Sequence, residues 1–379
     1  MHSSSLRVLT IAHNAVAASN RRRTEALRGT GGVDARLLTP PWWFEEGRRI
    51  DVPRPAPWRV GQTLFTGNGT RHVYLTGLVN AIRTIQPDVI DLYEEPFSLV
   101  ALQTLLARDI LAPRAALVFY SAVNVMRDWR WPYRTIERVV LRRADGAYAP
   151  NQDVPNVLRA KGFAPDRPVH VIPLGVDVER FATAAPMELP GVARPRVGFV
   201  GRLEPVKGLG VLMEAFRRLT TRASLVVAGE GSQRSLLVGD GVQVLPPVAY
   251  ENLPGLLKSL DVLVLPSVTI LPLHREQFGR VLVEAMAAGV PVVGSSSGAI
   301  PEVIGDAGLV VPEGDPVALA SAIDTLLGDA ALRHRLVERG RRRARMHFDW
   351  TVVATQTLSL FHAAVAHRRG ITWMEAVGA

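Results

Sequence analysis

Cysteine is absent from the 379 residues, and lysine nearly so. Without thiols the chain has no disulfide, no thiol nucleophile and no cysteine-ligated metal. Its lysines are Lys161, Lys207 and Lys258, so the net charge of +9 is almost entirely arginine. A lysine inside a motif therefore stands out. No apolar run approaches the roughly 18 residues of a membrane span. The opening MHSSSLRVLTIAHN lacks a signal-peptide layout, and a cytoplasmic location is expected. The basic balance suits anionic substrates, an anionic membrane surface or nucleic acid. No recognition helix, aromatic RNA-binding signature or zinc pattern supports the last, so no nucleic-acid partner is expected. No G-x-G-x-x-G follows the first strand, which argues against a dehydrogenase.

What is present is a globular composition, 47% hydrophobic and 21% charged, long enough for two domains at roughly 150 residues each. Strand signals fall at 7–12, 33–39, 88–92, 115–120, 146–149 and 169–172, with helical stretches at 20–27 and 71–85, after Pro96 to about Arg108, and at 136–143 and 152–161. Residues 40–70, rich in Pro, Gly, Trp and Arg, read as an irregular loop. Their Trp42-Trp43-Phe44 cluster suits either an apolar, ring-stacking binding wall or core packing. Pro- and Ala-rich residues 177–196 mark a boundary. Strands follow at 196–200, 224–228, 242–245, 262–265, 291–294 and 308–311. Helices should start near Gly208, Gln233, Leu253, Gly279 and Ile300, then cover 317–327, 332–343 and 350–367. Such alternation predicts α/β domains with parallel sheets.

Two motifs carry chemistry. In EQFGRVLVEAMAAGVPVV, Glu276 to Val293, a loop acid precedes a short buried helix that holds a second acid, Glu284, and stops at Gly289. An ionised Glu in that setting is costly unless paired, and both acids can face one crevice at the helix N-terminus. Upstream, VGFVGRLEPVKGLGVLMEAF sets Arg202 and Lys207 between a strand and a helix. Gly201 permits a close turn, and two cations at a helix entrance suit an anion. Read separately, the cations could be solvated surface charges, Glu276 a helix cap and Glu284 a structural ion pair.

Together the motifs resemble the E-x7-E pattern and its upstream partner in retaining family 4 glycosyltransferases. The resemblance implies the GT-B fold: two Rossmann-like domains facing across an interdomain cleft, with a C-terminal helix crossing back to the N-terminal domain. Acceptor binding is then expected in residues 1–178 with about 352–379, and donor binding in 179–351. The implied reaction moves a sugar from a nucleotide-sugar to an acceptor hydroxyl with retention, the leaving phosphate helping to take the acceptor proton. Arg202 and Lys207 would hold the diphosphate and Glu276 would lie beside the sugar, these three being the catalytic candidates. Glu284 would bind the ribose hydroxyls. Gly201, Gly229, Glu230, Val248, Phe278, Gly279 and Arg280 complete the donor side. Gly298-Ala299, with Glu302, stands where the family often has Gly-Gly.

On the acceptor side the candidates are His13, Asn14, Glu94, Ser121 and Asn124. The stretch FYSAVNVMRDW carries no His where many family members have one, and Ser121 or Asn124 is its substitute. His13 suits binding or a core role, and Glu94-Glu95 acceptor recognition or a helix start. No D-x-D pair is present, Asp177-Val178-Glu179 reading as a turn cap, so activity without metal or cofactor is expected. The donor (UDP-, GDP-, ADP- or TDP-sugar) and the acceptor (small molecule, lipid-linked or glycan) stay open. The runs Arg21–Arg23 and Arg341–Arg343 read as solvated faces or as docking sites for an anionic membrane. A nucleotide-sugar epimerase and a non-catalytic binding subunit are the competing readings.

Overall fold

Runs such as Leu6–Ile11 and Val262–Leu265 are short and mostly apolar, and they are buried on both faces, as parallel strands between helix layers must be. In the computed structural model, which describes residues 5–45 and 48–378, they pair into two parallel sheets. The chain divides into two compact units, Met1–Ile172 with Trp350–Ala379, and Pro173–Asp349.

Unit 1 contains β1 (Leu6–Ile11), α1 (Ala18–Gly29), β2 (Val33–Thr39), β3 (Trp42–Glu45), β4 (Arg48–Asp51), β5 (Arg59–Val60), β6 (Thr63–Leu64), β7 (Val73–Tyr74), α2 (Leu78–Ile85), β8 (Val89–Leu92), α3 (Leu99–Leu111), β9 (Ala116–Tyr120), α4 (Tyr133–Arg143), β10 (Gly146–Ala149), α5 (Asp153–Ala160) and β11 (Val169–Val171). Its sheet runs β5-β2-β1-β8-β9-β10-β11. Residues 40–70 are more ordered than expected: β3 pairs antiparallel with β4, β6 with β7, and β5 joins the sheet edge. The physical reason is alternation. Trp43 turns inward and is buried, while Trp42 and Phe44 meet edge to face on the other side. The helix expected from residue 71 starts only at Leu78, because Val73–Tyr74 pairs as a strand and Gly77 has φ 89°.

Unit 2 contains α6 (Val178–Thr183), β12 (Arg196–Val200), α7 (Leu209–Arg217), β13 (Ser224–Ala228), β14 (Val242–Leu245), α8 (Leu253–Lys258), β15 (Val262–Leu265), α9 (Arg280–Ala288), β16 (Val292–Ser295), α10 (Ile300–Ile304), β17 (Leu309–Val311), α11 (Pro316–Gly328) and α12 (Ala330–Arg343). Asp177 caps α6, its side chain accepting from Arg180 N. The helix expected near Gln233 is only a 3-10 turn, Arg234–Leu236. The sheet order is β14-β13-β12-β15-β16-β17.

Both sheets thus place their first strand between the second and the fourth, the doubly wound order. The crevice where that order reverses, at the strands' carboxyl ends, is where such sheets bind ligands. In unit 1 it lies between β1 and β8, and in unit 2 between β12 and β15.

The final helices are α13 (Trp350–Arg369) and α14 (Trp373–Gly378). The first of them returns to unit 1, packing on α1, β9 and β10. Leu360, Phe361 and Ala364 are fully buried there with Val8, Leu27 and Tyr148, each large side chain contributing about 1.5–3 kcal/mol. Arg23 corrects the expectation of a solvated arginine face. It is buried and ion-paired with Asp91, which also accepts from Thr10 Oγ1 (2.9 Å) and Tyr148 Oη (2.8 Å). Burial opposes the guanidinium charge, yet Asp91 and the neighbouring tyrosines hold its pKa above the usual value. Arg343 likewise leaves the surface role, donating to the carbonyls of Glu302 and Val303. Among the described residues no helix is long and apolar enough to cross a membrane.

Candidate active site

In unit 2 the chain leaves β12, makes a 3-10 turn at Pro205–Lys207, and enters α7 through Gly208. Gly208 has φ 68°, and a Cβ there would fall 1.9 Å from the Pro266 carbonyl oxygen. Only glycine lets this turn lie against the end of β15. The contact carries Lys207 across the strand-order reversal, where its Nζ lies 2.6 Å from Glu276 Oε2. Ser267 Oγ donates to the same oxygen at 2.7 Å. Burial would lift the Glu276 carboxyl, but the Lys207 charge and the two hydrogen bonds hold it below the usual range.

Glu276 is not a helix cap, since α9 begins after Gly279 with no side-chain cap. Its backbone is fixed by Gly298-Ala299: Ala299 N donates to the Glu276 carbonyl at 3.0 Å. A Cβ on Gly298 would fall 2.0 Å from that oxygen. The pair Gly298-Ala299 therefore seats Glu276. Glu284, one turn inside α9, is buried. Its charge reaches Tyr250, whose hydroxyl is pushed up to about 12, first by burial and then by Glu284, with Arg280 opposing.

Arg202 is exposed and, among the described residues, its side chain takes no hydrogen-bond partner. Gly201 and Gly229 bring the ends of β12 and β13 together. A Cβ on Gly229 would meet the Gly201 oxygen at 1.9 Å, and Leu203 N donates to the exposed Glu230's carbonyl at 2.8 Å. Val248 is half-buried against the unit's core, and the Phe278 side chain is core, edge-on to Phe348. Only its backbone is then available to a ligand.

His274 was not among the sequence candidates. It lies close enough to Glu276, Lys207 and Arg202 to feel their charges. Burial lowers its pKa, Lys207 and Arg202 add to that, and Glu276 opposes. Its Nε2 is buried with no partner among the described residues. The available signal was its position two residues before the motif's first acid.

In unit 1, His13 follows β1 and Glu94 follows β8. His13 Nδ1 lies 2.5 Å from Glu94 Oε2, and His13 N donates to Oε1 at 2.8 Å. The fully buried His72 places Nε2 3.6 Å from Glu94 Oε1. Trp43 covers both imidazoles, with centroids 4.3 and 4.9 Å away. Burial would raise the Glu94 carboxyl, but the two imidazoles hold it down at about 2. His72 was missed because its stretch read as helix.

Glu95 takes a separate role, accepting from Ser121 Oγ (2.7 Å) and Ala122 N (2.8 Å). Burial pushes it up to about 7 despite those bonds. Neither acid starts a helix, because Ser98 caps α3. Ser121 is thus committed to Glu95, Asn124 is buried, and Asn14 offers its carbonyl to Asn20 Nδ2 and Ala17 N. One ligand atom each from His13, His72 and Glu94 lies within 4.8 Å of the others, the spacing a metal ion would need. The 2.5 Å contact is a hydrogen bond that closes the space between two of them.

The fold defines the class. HepE of Anabaena, solved in complex with UDP-glucose, superposes with TM-score 0.69 at 19% identity, covering 93% of this chain and 99% of that one. A glycosyltransferase from Rickettsia africae gives 0.71 at 16% identity, covering 95% and 98%. These likenesses establish a GT-B fold of two Rossmann-like domains. A family model described as glycosyl transferases group 1 matches residues 194–329, and one described as glycosyltransferase family 4 matches residues 21–180. The chain thus carries a glycosyltransferase family 4 domain followed by a glycosyl transferases group 1 domain. Among curated relatives, the D-inositol 3-phosphate glycosyltransferase of Xylanimonas cellulosilytica is 32% identical over 61% of this chain and 60% of its own length. The phosphatidyl-myo-inositol mannosyltransferase of Mycobacterium leprae is 36% identical over 50% and 52%. The glycogen synthase of Mycobacterium tuberculosis is 34% identical over 52% and 49%. The chain thus matches only 49–60% of the length of these relatives.

Proposed function

We propose that this chain transfers a sugar from a nucleotide-sugar to an acceptor hydroxyl, with retention of anomeric configuration and without a metal. The observation that carries the reading is Lys207 held 2.6 Å from buried Glu276 at the unit 2 strand-order reversal. The donor's pyrophosphate carries two negative charges and takes on a third as the bond to the sugar breaks. Lys207 supplies a point charge and Arg202, whose side chain takes no hydrogen-bond partner among the described residues, a planar fork, beside the α7 N-terminus. These cations do for the leaving charge what a bound metal does elsewhere.

Glu276, kept ionised by Lys207, accepts hydrogen bonds from the sugar's hydroxyls and favours positive charge developing at the anomeric carbon. Glu284 accepts from the ribose diol. Diphosphate binding and the Glu276 carboxylate compete for Lys207, so the pair loosens as the donor enters. Unit 1 supplies the acceptor-binding groups. The relatives' names, with inositol phosphate, phosphatidylinositol and glycogen in them, support a hydroxyl-bearing ring as acceptor. Peripheral contact with an anionic membrane fits the arginine excess.

The test is incubation of the full chain with UDP-, GDP-, ADP- and TDP-glucose and a panel of polyols, the product's anomeric proton being read by NMR. The α-donor should give the α-product, with turnover unchanged by a chelator. An inverted product or a strict metal requirement would contradict the reading, and epimer formation without acceptor would favour the epimerase.

A further inference from the structure

We infer that His13 Nε2 is the group in unit 1 that accepts the hydrogen bond of the acceptor's hydroxyl, and that Glu94 sets it in the tautomer this requires. The inference rests on the reading of unit 1 as the acceptor-binding unit. Position is the first argument. His13 and Glu94 stand at the carboxyl ends of β1 and β8, on either side of the strand-order reversal, where doubly wound sheets bind ligands. Unit 2 repeats the arrangement with Lys207 after β12 and Glu276 after β15.

The second argument is the accounting of nitrogens. A neutral imidazole has one donor and one acceptor nitrogen. Glu94 is ionised and can only accept, so the 2.5 Å contact fixes the proton of His13 on Nδ1. In the neutral ring this leaves the lone pair on Nε2. No described residue takes it, and 24% of the His13 side chain is exposed. His72 differs in each respect. It is fully buried, and its Nδ1 faces the Asn68 carbonyl at 3.2 Å. Burial would lower its pKa, but Glu94 raises it. It lies behind Glu94, its Nε2 3.6 Å from Oε1, under Trp43. The assembly presents one nitrogen to solvent and buries the rest. A lone pair at that place suits a hydroxyl donor and disfavours an anion.

The test uses the full chain labelled with 15N-histidine, and myo-inositol as a polyol probe. The free protein should show His13 as the Nδ1–H tautomer, and saturating inositol should shift Nε2 of His13 while leaving His72 in place. A resting Nε2–H tautomer, or no His13 response to inositol, would overturn the inference without any variant having to fold. In transfer assays H13A should raise KM for the polyol about three- to tenfold, the worth of one neutral hydrogen bond, with KM for the nucleotide-sugar within a factor of about two. E94Q, whose amide can donate to Nδ1 and force the proton onto Nε2, should show the same split. Equal shifts in both KM values would contradict the assignment. Failure of the wild type to bind any nucleoside diphosphate would instead strike the transferase reading.

Discussion

Lys207 and Glu276, 69 residues apart in sequence, meet at 2.6 Å where the strand order of unit 2 reverses. Each is mostly buried, with 13% and 7% of the side chain exposed. Removing the lysine leaves a buried carboxylate without its counter-charge. Lys207→Ala should lower turnover by about 10²- to 10³-fold, the scale for losing one positioned donor to a developing charge. It should also reduce stability by about 1–3 kcal/mol. Steady-state kinetics with parallel urea unfolding checks both, and unchanged turnover would remove Lys207 from the mechanism.

Gly298 tests how far the seat of Glu276 matters. A methyl at this position would overlap the Glu276 carbonyl oxygen, 2.0 Å away, at φ 53°. Gly298→Ala should therefore weaken nucleotide-sugar binding while Gly314→Ala, whose Cβ meets nothing within 4 Å, does not. Both sites have positive φ, so the control carries the same backbone cost. Calorimetric titration of the two variants decides, and equal affinities would show that the seat is dispensable.

Glu95 makes stability depend on pH. Its folded pKa of about 7 lies above the ordinary 4.5. The folded chain holds this proton more tightly than the unfolded one, so the contribution is complete below about pH 4.5. It is lost as pH rises to about 7, and is flat beyond. Glu95→Gln should remove that slope. Urea midpoints of wild type and variant across this range should converge at acid pH and separate towards pH 7, the variant being the more stable there. Parallel curves would refute the burial argument.

The buried Arg23–Asp91 pair is structural. Arg23→Ala should cost about 3–5 kcal/mol, because Asp91 is left charged and buried. Nucleoside-diphosphate affinity should not change, since the proposed site for it lies in unit 2. Chemical unfolding and titration of the same sample check the two halves, and a loss under about 1 kcal/mol would mean that Asp91 finds other partners.

Much of this molecule was legible in its residues because parallel strands announce themselves. Each unit 2 strand falls within a residue of where its apolar run predicted it. That Lys207 and Glu276 come from strand-to-helix turns of one sheet was legible because Gly208 and Gly279 punctuate those turns. What escaped was decided by tertiary contact. Nothing near His72 in sequence signals that β6 and β7 pair, so its stretch read as helix. The Arg21–Arg23 run looks solvated until Asp91, 68 residues on, is folded against Arg23. Glu94 and Glu95 are neighbours that look alike, yet one faces two imidazoles and the other a serine.

The central claim is that unit 2 grips a departing diphosphate through Lys207 and Arg202. Its most direct measurement is calorimetric titration of the full chain with UDP, GDP, ADP and TDP, repeated on Lys207→Ala, Arg202→Ala and the double variant. At least one diphosphate should bind the wild type, each single variant should weaken it about tenfold or more, as loss of a charged hydrogen bond requires, and the corresponding nucleoside should bind all four proteins alike. Diphosphate affinities indifferent to both substitutions would contradict the account.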